Sequence, residues 1–262
     1  PPREDIAREI KNLPEDAELA RKGDFVIYST QTSNIPNVMC EIGILREVTF
    51  RDVGEGTGKS IDLDSFDEYY HQLFAWDEKA KQVVGGYRLA VVDEVLREKG
   101  RKGLYVPSLF SVRKSFYKGM GSAVELGRSF IRPEYQRKFA LLGLLWQGIG
   151  EFLNRRPDCC VLYGPVSISA DYAPVSRNLM VRFLRRKEWS PKLAKSARAK
   201  HPFRGSNLPI ALKRWLRDEG RSIAEVSAVV SSVEPDGKGV PVLVKHYLKL
   251  NGSFVSFSVD PD

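Results

Sequence analysis

Ionised residues stand inside stretches that otherwise read as buried strand. The segment Ala123 to Trp146, AVELGRSFIRPEYQRKFALLGLLW, begins with Val124, Leu126, Phe130 and Ile131, which predict a largely buried strand. Glu125 and Arg128 lie within it. Charges buried without a partner cost several kcal/mol, so both ask for a use. Pro133 and Glu134 end the strand, and from Phe139 an apolar run predicts a helix. A charged strand that delivers the chain to a helix N-terminus suits an anionic ligand. Arg88 stands between apolar neighbours in a second strand, and Asp62, Asp64 and Asp67 cluster just upstream.

Groups of these kinds suit proton transfer by a carboxylate base and the capture of a charged ligand. Glu125 is the candidate base. Arg128 and Arg88 suit bidentate capture of a ligand carboxylate. Asp64 and Asp67 suit a ligand cation, and Arg46 suits anchoring their loop. Each also has a structural use, because ion-pair networks produce the same buried charges. Glu125, for instance, would pair with Arg128 or Arg88 and hold the strand.

The elements that must position these groups follow in order. Arg3 to Leu13 predicts a short amphipathic helix and Phe25 to Tyr28 a first strand. Pro36 opens a helix over Asn37 to Phe50, with Val38, Ile42, Leu45 and Thr49 near one face. His71 to Trp76 and Val83 to Val92 predict a hairpin turning at Asp77 to Lys81, and Gly85-Gly86 a bulge or a close backbone approach. Pro107 to Phe110 reads as a loop. Cys160 to Tyr163 predicts a short strand that completes a βαβ unit with the central strand. Helices follow at Ala173 to Arg186, Leu208 to Asp218 and Ile223 to Val233. Val240 to Leu248 and Ser253 to Val259 predict a closing hairpin around Asn251-Gly252.

Composition bounds the class. The 262 residues are 42% hydrophobic and 28% charged, which fits a globular protein with a substantial core. The longest apolar runs fall far short of the roughly 18 residues of a membrane span. Three cysteines at Cys40, Cys159 and Cys160 form neither a metal motif nor a disulfide framework, and His71, His201 and His246 are scattered. The chain opens at Pro1 and stops after Asp260-Pro261-Asp262, which predicts a piece of a longer protein. The net charge of +8 is lopsided: nine Lys and Arg lie between Arg182 and Arg204, with Glu188 as the one acid. That run is either a solvated face or a dock for an acidic partner.

Gly54-Glu55-Gly56-Thr57-Gly58-Lys59-Ser60 has the look of a nucleotide P-loop, but Val53 stands where its first glycine belongs and no apolar strand precedes it. A flexible loop that orders over a ligand is the better expectation.

The order helix, hairpin, charged strand, helix, strand, helices, hairpin resembles the GCN5-related N-acyltransferase (GNAT) fold. That is an α/β fold with a mixed central sheet flanked by helices, here with a closing C-terminal hairpin. Arg46 with Phe50, then Asp62, Asp64 and Asp67, then Gly85 to Leu89, then Glu125 to Phe130 follow the pattern of acyl-homoserine-lactone synthases. The fuller run adds Val53 to Lys59 and Gly164-Pro165-Val166-Ser167-Ile168-Ser169. It is more similar to the hemolysin-like, ornithine-lipid-synthase acyltransferases. The resemblance implies a leader or linker at 1–23 and an acyltransferase domain at 24–262. It implies transfer of a fatty acyl group, often 3-hydroxylated, to the α-amine of an amino acid such as ornithine or glycine, in aminolipid synthesis. Amide formation from a thioester needs alignment, a place for the oxyanion and a base for the amine. For that reaction Glu125 and Arg128 are the catalytic candidates, and Arg46, Asp64, Asp67 and Arg88 the candidates to bind the acceptor.

The general fold family binds coenzyme A through Gln/Arg-x-x-Gly-x-Gly/Ala. Here Gln136 is kept, with Arg137 and Lys138 beside it, while Phe139 and Leu141 replace both glycines. Gln136, Arg137 and Lys138 are therefore the expected donor-binding residues. The expected donor is an acyl group on an acidic acyl carrier protein, or on coenzyme A, with no tightly held cofactor. The expected setting is cytoplasmic, with a peripheral contact to the inner membrane face and no nucleic acid. The rival readings are a homoserine-lactone signal synthase and a non-catalytic lipid-binding or hemolysin-like module.

Overall fold

A computed structural model describes residues 1–136, 139–217 and 222–260. The chain divides into two compact units, residues 1–106 with 120–165, and residues 107–119 with 166–262.

The first unit is built on a six-stranded sheet. Its strands are β1 (Glu18–Lys22), β2 (Phe25–Gln31), β3 (His71–Asp77), β4 (Gln82–Val91), β6 (Ala123–Ile131) and β7 (Val161–Tyr163), in that spatial order. All neighbours are antiparallel except β6 and β7, so the sheet is mixed. The parallel pair is joined by α6 (Phe139–Asn154), which gives the βαβ unit. The remaining helices of this unit are α1 (Arg3–Lys11), α2 (Pro36–Arg51) and α3 (Val92–Glu98). Residues 1–23 lie within the first unit: Ile6 and Ile10 of α1 share a core with α2, and β1 pairs with β2.

Strand alternation decides which face each residue serves. Ile27, Leu73, Ala75, Val84, Tyr87, Leu89, Val124 and Leu126 pack with Leu144, Leu145, Ile149 and Phe152 of α6. Each fully buried Val, Leu, Ile or Phe in this set contributes about 2 kcal/mol. The opposite parity, Val26, Tyr28, Phe74, Trp76, Val83 and Phe130, packs with α1 and α2. Gln72, Arg88 and Glu125 share that second parity, so the sheet sends its polar groups toward the α2 side. Gly85 and Gly86 allow a close approach: a Cβ at either would fall within 2.9 Å of the backbone oxygens of Phe130 or Leu73.

The second unit contains β5 (Phe110–Val112) paired antiparallel with β8 (Ala197–Ala199), and the helices α7 (Pro174–Lys187), α8 (Pro191–Ala194), α9 (Ile210–Trp215), α10 (Ile223–Val233) and α11 (Val242–Lys249). Its core joins Leu179, Met180, Phe183, Val226, Val230, Val240 and Val244. Two short helices, α4 (Val106–Leu109) and α5 (Lys114–Met120), flank β5, and α4 with the start of β5 takes the place of the loop expected at Pro107 to Phe110.

The C-terminal hairpin expected from Asn251-Gly252 is corrected. Residues 242–249 are helical, and residues 253–259 make isolated bridges, Trp189 with Phe254 and Pro202 with Ser258. Val242, which strand alternation would put on one face with the buried Val240 and Val244, is 58% exposed. Asn251 adopts φ 60° and the Gly252 N–H bonds the Tyr247 carbonyl, so Asn-Gly ends a helix here instead of turning a hairpin.

Candidate active site

The α2 face of the sheet carries a buried ionic network. Arg46, one turn before the apolar end of α2, is fully buried. Its Nη1 lies 2.8 Å from Asp67 Oδ1, and its Nη2 donates to Gln72 Oε1 at 2.8 Å. Gln72 pairs directly across the ladder with Arg88. Arg88 Nη1 lies 2.6 Å from Asp64 Oδ1 and 3.1 Å from Asp67 Oδ1. Phe66, Tyr70 and Tyr105 surround the same guanidinium, with ring centroids 5.2 to 5.5 Å away. Arg128 completes the set, with Nε 3.0 Å from Asp62 Oδ2 and Nη2 3.5 Å from Asp64 Oδ2.

Three arginines therefore meet three aspartates. Burial pushes the Asp67 carboxyl up, but Arg46 and Arg88 outweigh it and hold the pKa below the ordinary range. At Asp62 burial wins over Arg128, and the carboxyl is raised. The segment from Asp62 to Asp67 is shaped to deliver these groups: Asp64 accepts from the Phe66 N–H, and Asp67 accepts from the Asp64 N–H. Arg46 thus fastens this segment to α2 through Asp67.

Most of the network is sealed. Its openings are Arg128, with 22% of its side chain exposed, and Asp64, with 28%. Arg128 sits on a bulge of β6, where Gly86 pairs with Phe130 and Arg88 with Gly127, so Arg128 and Ser129 stand outside the ladder register. Arg128 takes φ 50°, which is uncommon for a residue with a side chain. Phe50 and Tyr105 flank its guanidinium, and the Tyr105 hydroxyl lies 3.3 Å from Nη1.

Glu125 pairs with neither Arg128 nor Arg88. Its Oε1 accepts from the Tyr70 hydroxyl at 2.9 Å and the Tyr105 N–H at 2.8 Å. Its Oε2 accepts from the Tyr163 hydroxyl at 2.9 Å and the Val106 N–H at 3.2 Å. Burial raises its pKa, and these four donors oppose the rise. The carboxylate ties strand β6 to the 104–106 segment and to the end of β7. Of the two hydroxyl donors, Tyr70 is buried and Tyr163, at that end, is half-buried.

Glu47 has no role in the sequence reading, yet it seats the glycine loop. Its carboxylate accepts from the Thr57 N–H at 2.9 Å, the Thr57 hydroxyl at 2.6 Å, the Gly58 N–H at 3.0 Å and Arg51 Nη2 at 2.6 Å. These bonds hold its pKa down at about 2, the Thr57 hydroxyl contributing most. The N–H groups that a phosphate would use in a P-loop are turned onto an internal carboxylate. Gln72, Tyr70, Tyr105 and Tyr163 were also missed. The one sequence signal for Glu47 is its place four residues before Arg51, facing a glycine-rich loop.

Gln136 is exposed, and its amide donates to the Ile131 carbonyl at 3.3 Å. Arg137 and Lys138 lie outside the described residues. Among the aromatic residues, Trp76 belongs to the α2-side core and Trp146 packs on the α6 side against Tyr87.

Residues 45–147, which hold the whole network, match the family model described as Acetyltransferase (GNAT) domain. The architecture is a GNAT fold. The chain is also similar to two proteins named glycine N(alpha)-acyltransferase. It is 36% identical over 194 residues to that of Phocaeicola vulgatus, covering 68% of this chain and 60% of the relative. It is 35% identical over 187 residues to that of Bacteroides thetaiotaomicron, covering 66% and 56%. The chain thus spans less than two thirds of the length of either relative. A solved integron cassette protein from V. cholerae aligns with 75% of this chain and all of its own, at 10% identity and a TM-score of 0.36, too low a likeness to bear on the fold. Within the matched stretch, Arg128 on the bulge of β6 and Asp64 are the partly exposed members of the network, while Tyr163, half-buried on β7, lies beyond it. No helix among the described residues is long and apolar enough to cross a membrane.

Proposed function

We propose that this protein is an N-acyltransferase that joins a fatty acyl group to the α-amine of a small amino acid, with glycine the first acceptor to test. The observation that carries the reading is the pair Arg128 and Asp64 at the open rim of an otherwise sealed network, inside the stretch that matches the GNAT model. An amino acid carries one carboxylate and one ammonium, and this pair offers one charge to each. The similarity to glycine N(alpha)-acyltransferases supports the acceptor class.

The amine must lose a proton before it attacks the thioester carbonyl. Glu125 has all four acceptor directions filled, so it acts through Tyr163. The phenol oxygen of Tyr163 takes a proton from the ammonium while passing its own to Glu125 Oε2. Burial raises the carboxyl pKa of Glu125, which makes it a stronger proton acceptor than an ordinary carboxylate. The amine nitrogen then bonds to the acyl carbon, the carbon–sulfur bond breaks, and the departing thiolate takes up the second proton lost by the nitrogen as the amide forms. Arg88, Arg46 and Asp67 are positioning residues for the rim.

The donor is a fatty acyl thioester. Phe139 and Leu141, in place of the glycines that bring backbone close to a diphosphate, favour a carrier-protein donor over coenzyme A. The product class is then an acylated amino acid of the kind found in glycine or ornithine lipids. Expression in a host that lacks such lipids, followed by mass spectrometry of the lipid extract, tests the reading. A new lipid with an amide-linked amino acid is expected. Its absence in a host supplied with 3-hydroxyacyl thioesters would contradict it.

A further inference from the structure

Charge is divided unequally between the two units. The second unit holds twenty Lys and Arg against nine Asp and Glu, a net +11, while the first holds twenty-one against twenty-four, a net −3. The whole excess of the chain therefore belongs to the smaller unit.

Within that unit the cations sit on the outside. Arg182, Arg185 and Arg186 occupy one stripe of α7, and all three are exposed while Leu179, Phe183 and Leu184 are buried. Lys192, Lys195, Arg198, Lys200 and Arg204 continue the exposed run beyond the helix. From Tyr172 to Arg217 the one acid is Glu188. Among the described residues, the contacts these cations make do not neutralise them. Arg186 donates to the Arg217 carbonyl, Lys200 donates to the Ser108 carbonyl, and Arg185 lies over the Phe257 ring. Like charges at i,i+3 and i,i+4 repel, so the arrangement is stabilised by a counter-charge from outside.

Large aliphatic side chains stand exposed beside the cations. Ile210 of α9 is 69% exposed and precedes the exposed Arg214 and Arg217 by one and two turns. On α11, Val242 is 58% exposed, with Lys249 two turns on and Leu250, 50% exposed, after it. An acidic protein surface answers the charge but gives these aliphatic groups nothing in particular. A membrane surface of anionic lipid answers both, since phosphate headgroups meet the cations and the acyl boundary accepts the aliphatic tips.

We infer that the second unit docks on an anionic lipid surface, through the basic stripe of α7 and the exposed aliphatic residues of α9 and α11. The inference goes beyond the acyl-transfer reading, and its test requires no turnover. The purified protein is sedimented with phosphatidylcholine vesicles with and without about 30 mol % phosphatidylglycerol, a composition that supplies the anionic surface. Binding to the anionic vesicles alone is expected, lost in about 1 M salt, where charges are screened within a few ångströms. The triple variant R182E/R185E/R186E should bind on the order of a hundredfold more weakly, since three cations are removed from the surface. Ile210→Ser, an exposed position with no core to lose, should weaken binding at constant net charge. Equal partition onto both vesicle types, or unchanged binding by the charge variant with its circular dichroism intact, would overturn the inference. Retention on an immobilised acidic acyl carrier protein without vesicle binding would overturn it as well, and would give this face to a protein partner.

Discussion

Arg46 Nη1 and Asp67 Oδ1 lie 2.8 Å apart with both side chains sealed from solvent, and this pair joins α2 to the segment that carries every aspartate of the network. Removing one partner of such a pair leaves a buried charge uncompensated. Arg46→Met and Asp67→Asn should each cost about 3–5 kcal/mol of stability. Because Arg88 also contacts Asp67, the double variant should lose less than the sum, with a coupling of about 1–3 kcal/mol. Urea unfolding of the four proteins measures it, and additive losses would show that the pair does not act as a unit.

Glu125 and Tyr163 separate structure from chemistry. In Glu125→Gln an amide N–H₂ would face donors, so a loss of about 1–3 kcal/mol is expected along with slower transfer. Tyr163→Phe leaves the other three donors in place and should cost only about 1 kcal/mol. Its turnover at saturating amino acid should nonetheless fall on the order of a hundredfold, the usual scale of a lost proton-transfer partner. Unchanged turnover in Tyr163→Phe would end the relay through that phenol.

The seat of the glycine loop is testable by digestion. Glu47→Ala removes the acceptor that holds Thr57 and Gly58, and Arg51 loses its carboxylate partner. Limited proteolysis should then cut within residues 54–60 well before the rest of the first unit is attacked. The KM for the amino acid should rise more than turnover falls, because the loop ends at Asp62 and Asp64 beside Arg128. A loop as resistant as in the unaltered protein would show that it is held by other contacts.

His71 gives the acid side of the stability profile. Burial, with the nearby Arg156 charge, lowers its pKa to about 4 from the ordinary value near 6.5. The unfolded chain therefore binds more protons across that window, and stability falls as pH drops from about 6.5 to 4. At about 1.4 kcal/mol for each pH unit the full effect is at most about 3 kcal/mol. Glu125, with a raised pKa, has the opposite slope: its contribution is full below the ordinary carboxylate range and is lost as pH rises through the folded value. Comparing His71→Gln with the unaltered protein isolates the histidine. Parallel pH profiles for the two would contradict the assignment.

The sheet was legible because its residues obey one rule at a time. Alternation at β3, β4 and β6 names the buried strands, and Pro36 and Phe139 mark helices that the fold retains. The C-terminus was misread because Asn-Gly supplies positive φ equally well to a hairpin turn and to the end of a helix. In the site, charges embedded in strands announced Arg88, Arg128 and Glu125, since buried ions are uncommon enough to stand out. Their partners did not announce themselves. Tyr70, Tyr105 and Tyr163 are apolar enough to pass for core, and only the fold brings their hydroxyl and N–H donors to one carboxylate. Glu47 reads as an ordinary helix-surface acid until the loop ten residues on folds back over it.

The most direct test of the central claim uses purified protein, a 3-hydroxyacyl thioester and glycine, with product followed by mass spectrometry for the unaltered chain and Arg128→Lys. Lysine keeps the charge but cannot copy the bidentate grip. N-acylglycine should form with the unaltered protein, and Arg128→Lys should raise the KM for glycine about tenfold or more, the scale of one lost charge-assisted hydrogen bond, while turnover at saturation changes little. No amide product from glycine or any other amino acid, with folded protein and an intact thioester, would contradict acyl transfer itself. An amide product formed with an unaltered KM in Arg128→Lys would leave the reaction standing and remove Arg128 from acceptor recognition.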